Sequence, residues 1–331
     1  MTDKNILVTG GFGFIGSTLV EQLLAEPGNR VHVVDNLSTS PIDVTAFLEV
    51  VGNPPNLSYD ICSIAEYCTR EGDKGKAFRE IYHLASPVGP VGVLAYAGKM
   101  TEMICGDAYH VINLGLKHDA KVLDISTSEV YGGGRDGYCS EDYSKIIPAK
   151  VTVRLEYAVA KLAAEISLVN TTRVTPLRAC IIRPFNVAGP RQSPKGGFVL
   201  PRFIGQALRN EPLTVYSDGS MVRAFTHVQD IVQGLILTME RGTNGEAYNL
   251  GNPANKVTIL ELAQRVVKIA ESQSRIDHVD PKTLFGPLFE EANDKYPDAK
   301  RSTEELGWQP RSDVDQVIRD TLHYIRDGRK A

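Results

Sequence analysis

The stretch Ile6-Leu7-Val8-Thr9-Gly10-Gly11-Phe12-Gly13-Phe14-Ile15-Gly16 decides the fold. A short apolar run ends in glycine, as a buried parallel strand does. From Phe14 to Leu24 apolar residues recur at helical spacing, until Pro27-Gly28 stops the segment. The loop satisfies both Gly-x-x-Gly-x-x-Gly and Gly-x-Gly-x-x-Gly. Glycine is needed where backbone approaches a pyrophosphate and turns sharply onto a helix N-terminus. Gly10, Gly13 and Gly16, with Phe14 and Ile15 opening the helix, are therefore expected to cradle a dinucleotide. The next strand, Val31–Val34, delivers Asp35 at about the 20-residue distance at which a carboxylate meets the adenosine ribose. An acid there repels a 2′-phosphate, so NAD is expected rather than NADP, with Asn36 beside it. Asp60-Ile61, after a third strand at Leu57–Tyr59, reads either as a flank for the adenine or as a plain strand end.

Working outward, Ile81–Leu84 and Val122–Ile125 read as strands four and five. A helical stretch from about Val153 to Val169 follows, and then a sixth strand, Arg178–Ile182. Strands alternating with helices predict an α/β fold with a doubly wound parallel sheet. Leu84, Ala85 and Ser126 end strands at the carboxyl edge, where ligands bind in such sheets. After Pro184 the texture changes. Gly189-Pro190-Arg191 and Ser193-Pro194-Lys195-Gly196-Gly197 are turn-rich, Phe198–Leu208 is an amphipathic helix, and Asp218-Gly219 is a hairpin-type turn. Pro253–Ala270 and Val314–Ile325 read as helices of a smaller C-terminal lobe.

The 331 residues carry 36 Lys+Arg against 40 Asp+Glu, a net charge of −4, which argues against nucleic acid as a partner. At 42% hydrophobic and 23% charged the composition is that of a folded globular chain. No apolar run approaches the roughly 20 residues of a membrane span. Met1-Thr2-Asp3-Lys4-Asn5 leads directly into the first strand, so a soluble cytoplasmic protein is expected. The cysteines (Cys62, Cys68, Cys105, Cys139, Cys180) include no Cys-x-x-Cys pair and the histidines no His-x-x-x-His, so no metal is expected.

Strand five runs into Ser126-Thr127-Ser128-Glu129-Val130-Tyr131-Gly132, a hydroxyl-rich end followed by a carboxylate. Tyr157-Ala158-Val159-Ala160-Lys161 then places a phenol and an ammonium one helical turn apart. A cation beside a phenol favours phenolate, and a positive nicotinamide favours it further, making Tyr157 a general base for alcohol oxidation. Ser128 or Thr127 is expected to bond the same oxygen.

Together these residues resemble the extended short-chain dehydrogenases/reductases that act on nucleotide sugars. The likeness runs from Val8-Thr9-Gly10-Gly11 to Leu306-Gly307-Trp308. It includes His83-Leu84-Ala85, Arg183-Pro184-Phe185-Asn186-Val187-Ala188-Gly189-Pro190-Arg191 and Gly251-Asn252-Pro253. The resemblance implies a Rossmann domain over residues 1–183, with a later return segment at about 221–250, and a nucleotide-sugar lobe over 184–331. It implies hydride transfer from C4 of a nucleotide-diphosphate sugar, a UDP-sugar being favoured, to NAD, with Tyr157 as base and Lys161, Ser128, Thr127 and Glu129 in support. Substrate contacts would come from Arg154, Asn186, Arg191, Arg223, Lys295 and Tyr296, and a homodimer is implied.

Glu129 bears on the choice of reaction. Simple 4-epimerases of the family carry a small residue there, whereas UDP-glucuronate decarboxylases and 4,6-dehydratases resemble Thr-Ser-Glu. Val222-Arg223-Ala224-Phe225-Thr226 also resembles the decarboxylases. Two departures stand against this. Lys295-Tyr296-Pro297 replaces an Arg-Lys-Pro, so a lysine stands where the arginine is expected. Cys105-Gly106-Asp107 stands where the family has Asn-x-x-Gly-Thr. Decarboxylation of UDP-glucuronate is the expected reaction. The alternatives are 4-epimerisation, 4,6-dehydration, or an NAD(H)-binding sensor without catalysis.

Overall fold

The computed structural model describes residues 4–40, 43–89, 92–132, 136–194, 197–289 and 294–327. Lys195 and Gly196 of the turn-rich loop, and Met1, Thr2 and Asp3, lie outside them.

The first half alternates β1 (Lys4–Thr9), α1 (Phe14–Ala25), β2 (Asn29–Asp35), α2 (Val44–Val50), β3 (Leu57–Ile61), α3 (Ile64–Thr69), β4 (Glu80–His83), α4 (Met100–His118) and β5 (Lys121–Ile125). A two-residue β6 (Tyr138–Cys139), the long α5 (Val153–Val174) and β7 (Arg178–Pro184) follow. The chain then builds β8 (Val187–Ala188), α6 (Val199–Leu208), β9 (Leu213–Tyr216), β10 (Val222–Ala224) and β11 (Thr226–His227) outside the sheet. It returns through α7 (Val228–Arg241) and β12 (Ala247–Leu250). The remainder is β13 (Lys256–Thr258), α8 (Ile259–Ile269), β14 (Ile276–Val279), α9 (Pro281–Phe285), β15 (Tyr296–Pro297), α10 (Lys300–Leu306) and α11 (Val314–Arg326).

Seven strands form a central sheet in the order β12-β7-β5-β4-β1-β2-β3, every pair parallel. Side chains alternate across it. Ile6, Val8, Leu123 and Ile125 pack on one face with α1 and α7, while Leu7, Val122 and Ile81 pack on the other with α3, α4 and α5. The order reverses between β1 and β4, which opens a crevice at their carboxyl ends. A separate core of Leu200, Phe203, Leu213, Val257, Leu262, Val266 and Val317 joins α6, β9, α8 and α11.

One strand went unread and two expectations are corrected. The seventh strand, β12, carries too short an apolar run to be read as a strand. Asp218-Gly219 does turn the chain, with Gly219 at φ +73°, but it closes no hairpin. β9 pairs with β14 and β10 with β13, because the longer-range partners bury the apolar faces. Of the helix expected from Pro253, Pro253–Asn255 forms a single 3-10 turn and the α-helix starts at Ile259. There Thr258 and Glu261 close a reciprocal capping box, and Lys256–Thr258 before it is a strand.

Trp308 brings the C-terminal segment back onto the sheet. It is fully buried, its indole N–H donates to the Asp230 carbonyl at 2.8 Å, and Gly234 of α7 leaves the room it fills.

Candidate active site

The loop between β1 and α1 is built for a close backbone approach. Gly10 has φ +70°, and a Cβ there would lie 2.8 Å from the Ala85 nitrogen, so Leu84-Ala85 passes directly against the loop. At Gly16 a Cβ would lie 2.0 Å from the Gly10 carbonyl oxygen. Gly13 differs, because a Cβ there meets only that oxygen, at 3.1 Å. Gly13 is also the N-cap of α1. It offers no side-chain acceptor, and the first turn holds no acid to neutralise the amides. Asp35 fastens the loop to β2, accepting from the Phe12 amide (2.9 Å) and the Leu37 amide (2.8 Å). Burial pushes its carboxyl up, and these amides oppose the rise. The glycine cradle, the uncapped helix and the ribose-side carboxylate fit a dinucleotide.

On the adenine side, Asn36 is exposed and caps the Ser38 amide at 3.0 Å. Asp60 lies 3.1 Å from His32, whose other ring nitrogen bonds Ser58 at 2.8 Å, and Ile61 is exposed. Burial drives His32 down to about 4, so the ring facing Asp60 is neutral at physiological pH.

At the end of β5, Thr127 caps the short 3-10 turn Ser128–Tyr131, accepting from the Glu129 amide at 3.2 Å. Its side chain also bonds the Tyr157 phenol, so of the two expected hydroxyls Thr127 is the one engaged. Ser128 is buried beside it, and the Ser126 hydroxyl is buried with no partner. Lys161 donates to the Ile125 carbonyl at 2.8 Å. The phenol is nevertheless held above its ordinary value. Burial raises it, the Thr127 bond opposes, and the Glu129 and Asp124 carboxylates add to the rise. The chain's own charges therefore do not make Tyr157 a phenolate, contrary to what the Tyr–Lys spacing suggests.

Beside Tyr157 lies a group of four charged side chains from distant parts of the chain. Arg154 grips Glu129 with both arms, Nε to Oε2 at 2.8 Å and Nη2 to Oε1 at 2.9 Å. Lys295, buried, donates to the same Oε1. Arg223 neighbours Lys295 through a backbone bridge. The segment carrying Lys295 is stitched in place on both sides. Asp294 accepts from the Val222 amide (2.8 Å), and the Tyr296 amide donates to the Gly137 carbonyl (2.8 Å). Burial opposes charge on Glu129, but Lys295 and Arg154 outweigh it and hold its carboxyl far below the usual range. Burial brings the Lys295 ammonium down to about 8 in spite of Glu129, with Arg154 and Arg223 adding to the fall.

The remaining expected substrate contacts divide. Asn186 sits at φ +38° with its amide nitrogen buried and unpartnered, a strained backbone at the crevice. Arg191 does not join the Glu129 group. It pairs with Glu21 of α1 at 2.7 Å and lies over the Phe47 ring, with one terminal nitrogen buried and unpartnered. Tyr296 stands apart from the Glu129 group. On a strand neighbouring side chains point oppositely, so with Lys295 facing Glu129, Tyr296 turns away and donates to the Asp136 carbonyl at 2.9 Å.

Sequence reading missed the buried frame behind the site. Arg183 grips Glu165 of α5 (3.0 and 2.6 Å) and donates to the Tyr131 hydroxyl (2.9 Å), which donates to Asn249 on β12 (2.7 Å). The frame ties the Ser128–Tyr131 turn to α5 and two strands. The one signal was Arg183, an arginine inside an apolar strand. Among the described residues no His, Cys, Asp or Glu cluster could hold a metal, and no helix is long and apolar enough to cross a membrane.

A dinucleotide cradle facing a Tyr–Lys pair defines an extended short-chain dehydrogenase/reductase. A model of the NAD dependent epimerase/dehydratase family matches residues 6–251, and the chain belongs to that family. It is 32% identical to a UDP-N-acetyl-alpha-D-glucosaminuronate decarboxylase of Bacillus cytotoxicus over 98% of both chains. It is 35% identical to UDP-glucuronic acid decarboxylase 4 of Arabidopsis thaliana over 92% of its own length, spanning 65% of that relative. In fold it is similar to UDP-N-acetylglucosamine 4-epimerase from Methanobrevibacter ruminantium M1, with a TM-score of 0.85, 25% identity and 99% of both chains covered. It is also similar to UDP-glucuronic acid 4-epimerase from Bacillus cereus, with a TM-score of 0.84, 24% identity, and 98% of this chain and 99% of that one covered.

Proposed function

We propose that the protein decarboxylates a UDP-linked uronate, UDP-glucuronate first, after oxidation at C4. The observation that carries this is the Arg154–Glu129–Lys295 group beside Tyr157: two cations ordered by one carboxylate, with Lys295 both a cation and a proton donor, as recognition and decarboxylation of a sugar carboxylate require. The names of the relatives support it.

NAD held by Gly10, Gly13, Gly16 and Asp35 supplies the hydride acceptor that alcohol oxidation requires. The chain's own groups handle the protons and the charge. Tyr157, made a phenolate by the positive charge that bound NAD would bring beside it, would take the proton of the C4 hydroxyl, with Thr127 directing the phenol. Arg223 suits the diphosphate, since a planar guanidinium forks onto phosphate oxygens. Loss of CO₂ from a carboxylate β to a carbonyl leaves C5 needing a proton. Arg154 and Arg223 cannot surrender one, and Glu129 is held ionised. Lys295 is the remaining donor, with Glu129 setting its position.

Incubation with NAD and a panel of UDP-sugars, followed by product analysis, tests the reading. A UDP-pentose or 4-ketopentose is expected from UDP-glucuronate. A uronate retained with only C4 inverted would make the protein a 4-epimerase. UDP-N-acetylglucosaminuronate belongs in the panel because of the Bacillus relative.

A homodimer through α4 and α5 is part of the proposal. Tyr109 on α4 and Val159 and Ile166 on α5 are exposed, the last two lying two turns apart on one side of the helix. Sedimentation at several concentrations tests it, and a concentration-independent monomer would refute it. The five unpaired cysteines suit the reducing cytoplasm.

A further inference from the structure

Glu129 and Lys295 stand 166 residues apart and meet through one ion pair. Each is carried by a short segment. Glu129 lies in the 3-10 turn Ser128–Tyr131, and Lys295 directly precedes the two-residue strand β15, which pairs with β6, itself two residues long. Neither segment has the length to hold its own position.

Both end on the same side chain. Asn249 of β12 is fully buried. Its Oδ1 accepts from the hydroxyl of Tyr131, the last residue of the Glu129 turn, at 2.7 Å. Its Nδ2 donates to the carbonyl of Asp298, just past β15, and to the carbonyl of Cys139 in β6, each at 3.1 Å. The Cys139 carbonyl also accepts from the Asp298 amide at 2.7 Å, so the side chain closes the far end of the β6–β15 ladder.

The direction of these bonds is forced. Arg183 can only donate, and it donates to the Tyr131 hydroxyl. The phenol proton is thereby left for Asn249, whose oxygen must face it. The two carbonyls can only accept, so the NH2 group must face them and both of its protons are used. The backbone of Asn249 is fixed independently. It pairs with Arg183 in the sheet, its amide donates to Glu141 at 2.7 Å, and its carbonyl accepts from the Ser302 hydroxyl.

We propose that Asn249 is a positioning residue for the proton transfer: its side-chain amide holds the Glu129 turn and the Lys295 segment at one fixed separation, so that the ammonium stays on Glu129 beside Tyr157. The inference rests on the roles proposed above for Glu129 and Lys295, but its first measurement uses no sugar, so failure to decarboxylate would leave it standing.

The test is competitive labelling of the lysines with acetic anhydride over a pH series, in the full chain with NAD added, read residue by residue by mass spectrometry. The labelling rate against pH gives the midpoint of each ammonium. In the parent protein Lys295 should titrate near 8, where burial brings it against the opposing pull of Glu129. Burial is the larger influence, so a segment released into water should titrate higher. Asn249→Ala should raise the Lys295 midpoint by about one unit or more, toward the ordinary lysine value. It should leave the midpoint of Lys161, which is held by the Ile125 carbonyl, where it was. A merely structural loss would loosen both lysines. Asn249→Asp fills the same space but turns an acceptor toward the two carbonyls, and it should shift Lys295 likewise if the alanine variant does not fold. With UDP-glucuronate, the alkaline fall in rate should move up with the midpoint. An unchanged Lys295 midpoint, or Lys161 and Lys295 shifting together, would overturn the proposal. So would rapid exchange, in the parent protein, of the two Asn249 side-chain amide protons, which ¹⁵N NMR should find protected.

Discussion

In the proposed reaction Tyr157 and Lys295 divide the proton chemistry between them, and each is open to a separate test. Tyr157→Phe removes only the hydroxyl, so NAD binding should persist while turnover falls by roughly 100-fold to 10,000-fold, the usual weight of a positioned acid/base. Unchanged turnover would remove Tyr157 from the mechanism. For Lys295 the sign follows from its ammonium being brought down to about 8. The donor form prevails below that pH, so the rate should fall as pH rises through about 8. Lys295→Arg keeps the charge but cannot give the proton, so it should lower the rate below pH 8 and lose that alkaline fall. A variant with the parent's profile would show that Lys295 acts only through its charge. How much of this was legible differs by residue. Tyr157 and Lys161 are four apart on one helix, so periodicity alone paired them. Lys295 stood out as a lysine in an arginine's place, but its contact with Glu129 spans 166 residues and exists only through the fold. That Tyr296 points away from Lys295 and Glu129 depends on the segment's strand pairing, which could not be read from three residues.

Among the elements, the β1–α1 loop was the most legible, because each glycine answers a separate steric demand. Gly16→Ala would drive a Cβ into the Gly10 carbonyl and should disrupt the loop itself. Gly13→Ala meets only that one oxygen, so its melting temperature should stay near the parent's while NAD affinity drops roughly tenfold or more, the cradle being filled by a methyl. Equal losses of stability in the two variants would contradict this. Gly106 is the opposite case, a glycine inside α4 facing open space. Gly106→Ala should raise stability by about 0.5–1 kcal/mol with activity retained, measurable by urea unfolding. The α8 start was misjudged because Pro253 reads as a helix opener, whereas the capping box formed by Thr258 and Glu261 is the stronger local signal.

At the scale of the molecule, the C-terminal lobe is not simply appended to the sheet. β12, α10 and Trp308 carry the C-terminal half back to the cofactor side, so the segment holding Lys295 is anchored on both of its flanks. Strand alternation revealed the parallel sheet. It could not reveal this return, because Asn249 and Trp308 meet their partners only after the chain has crossed the molecule twice. Trp308→Ala should cost about 3–5 kcal/mol, as for other large buried aromatics, and should loosen the Lys295 segment with it. The most direct measurement of the central reaction uses UDP-glucuronate labelled with ¹³C at C6, in deuterated water with NAD. The expected result is release of the label as CO₂, matched by a UDP-pentose or 4-ketopentose carrying deuterium at C5. A label that stays in the sugar while C4 inverts would contradict decarboxylation.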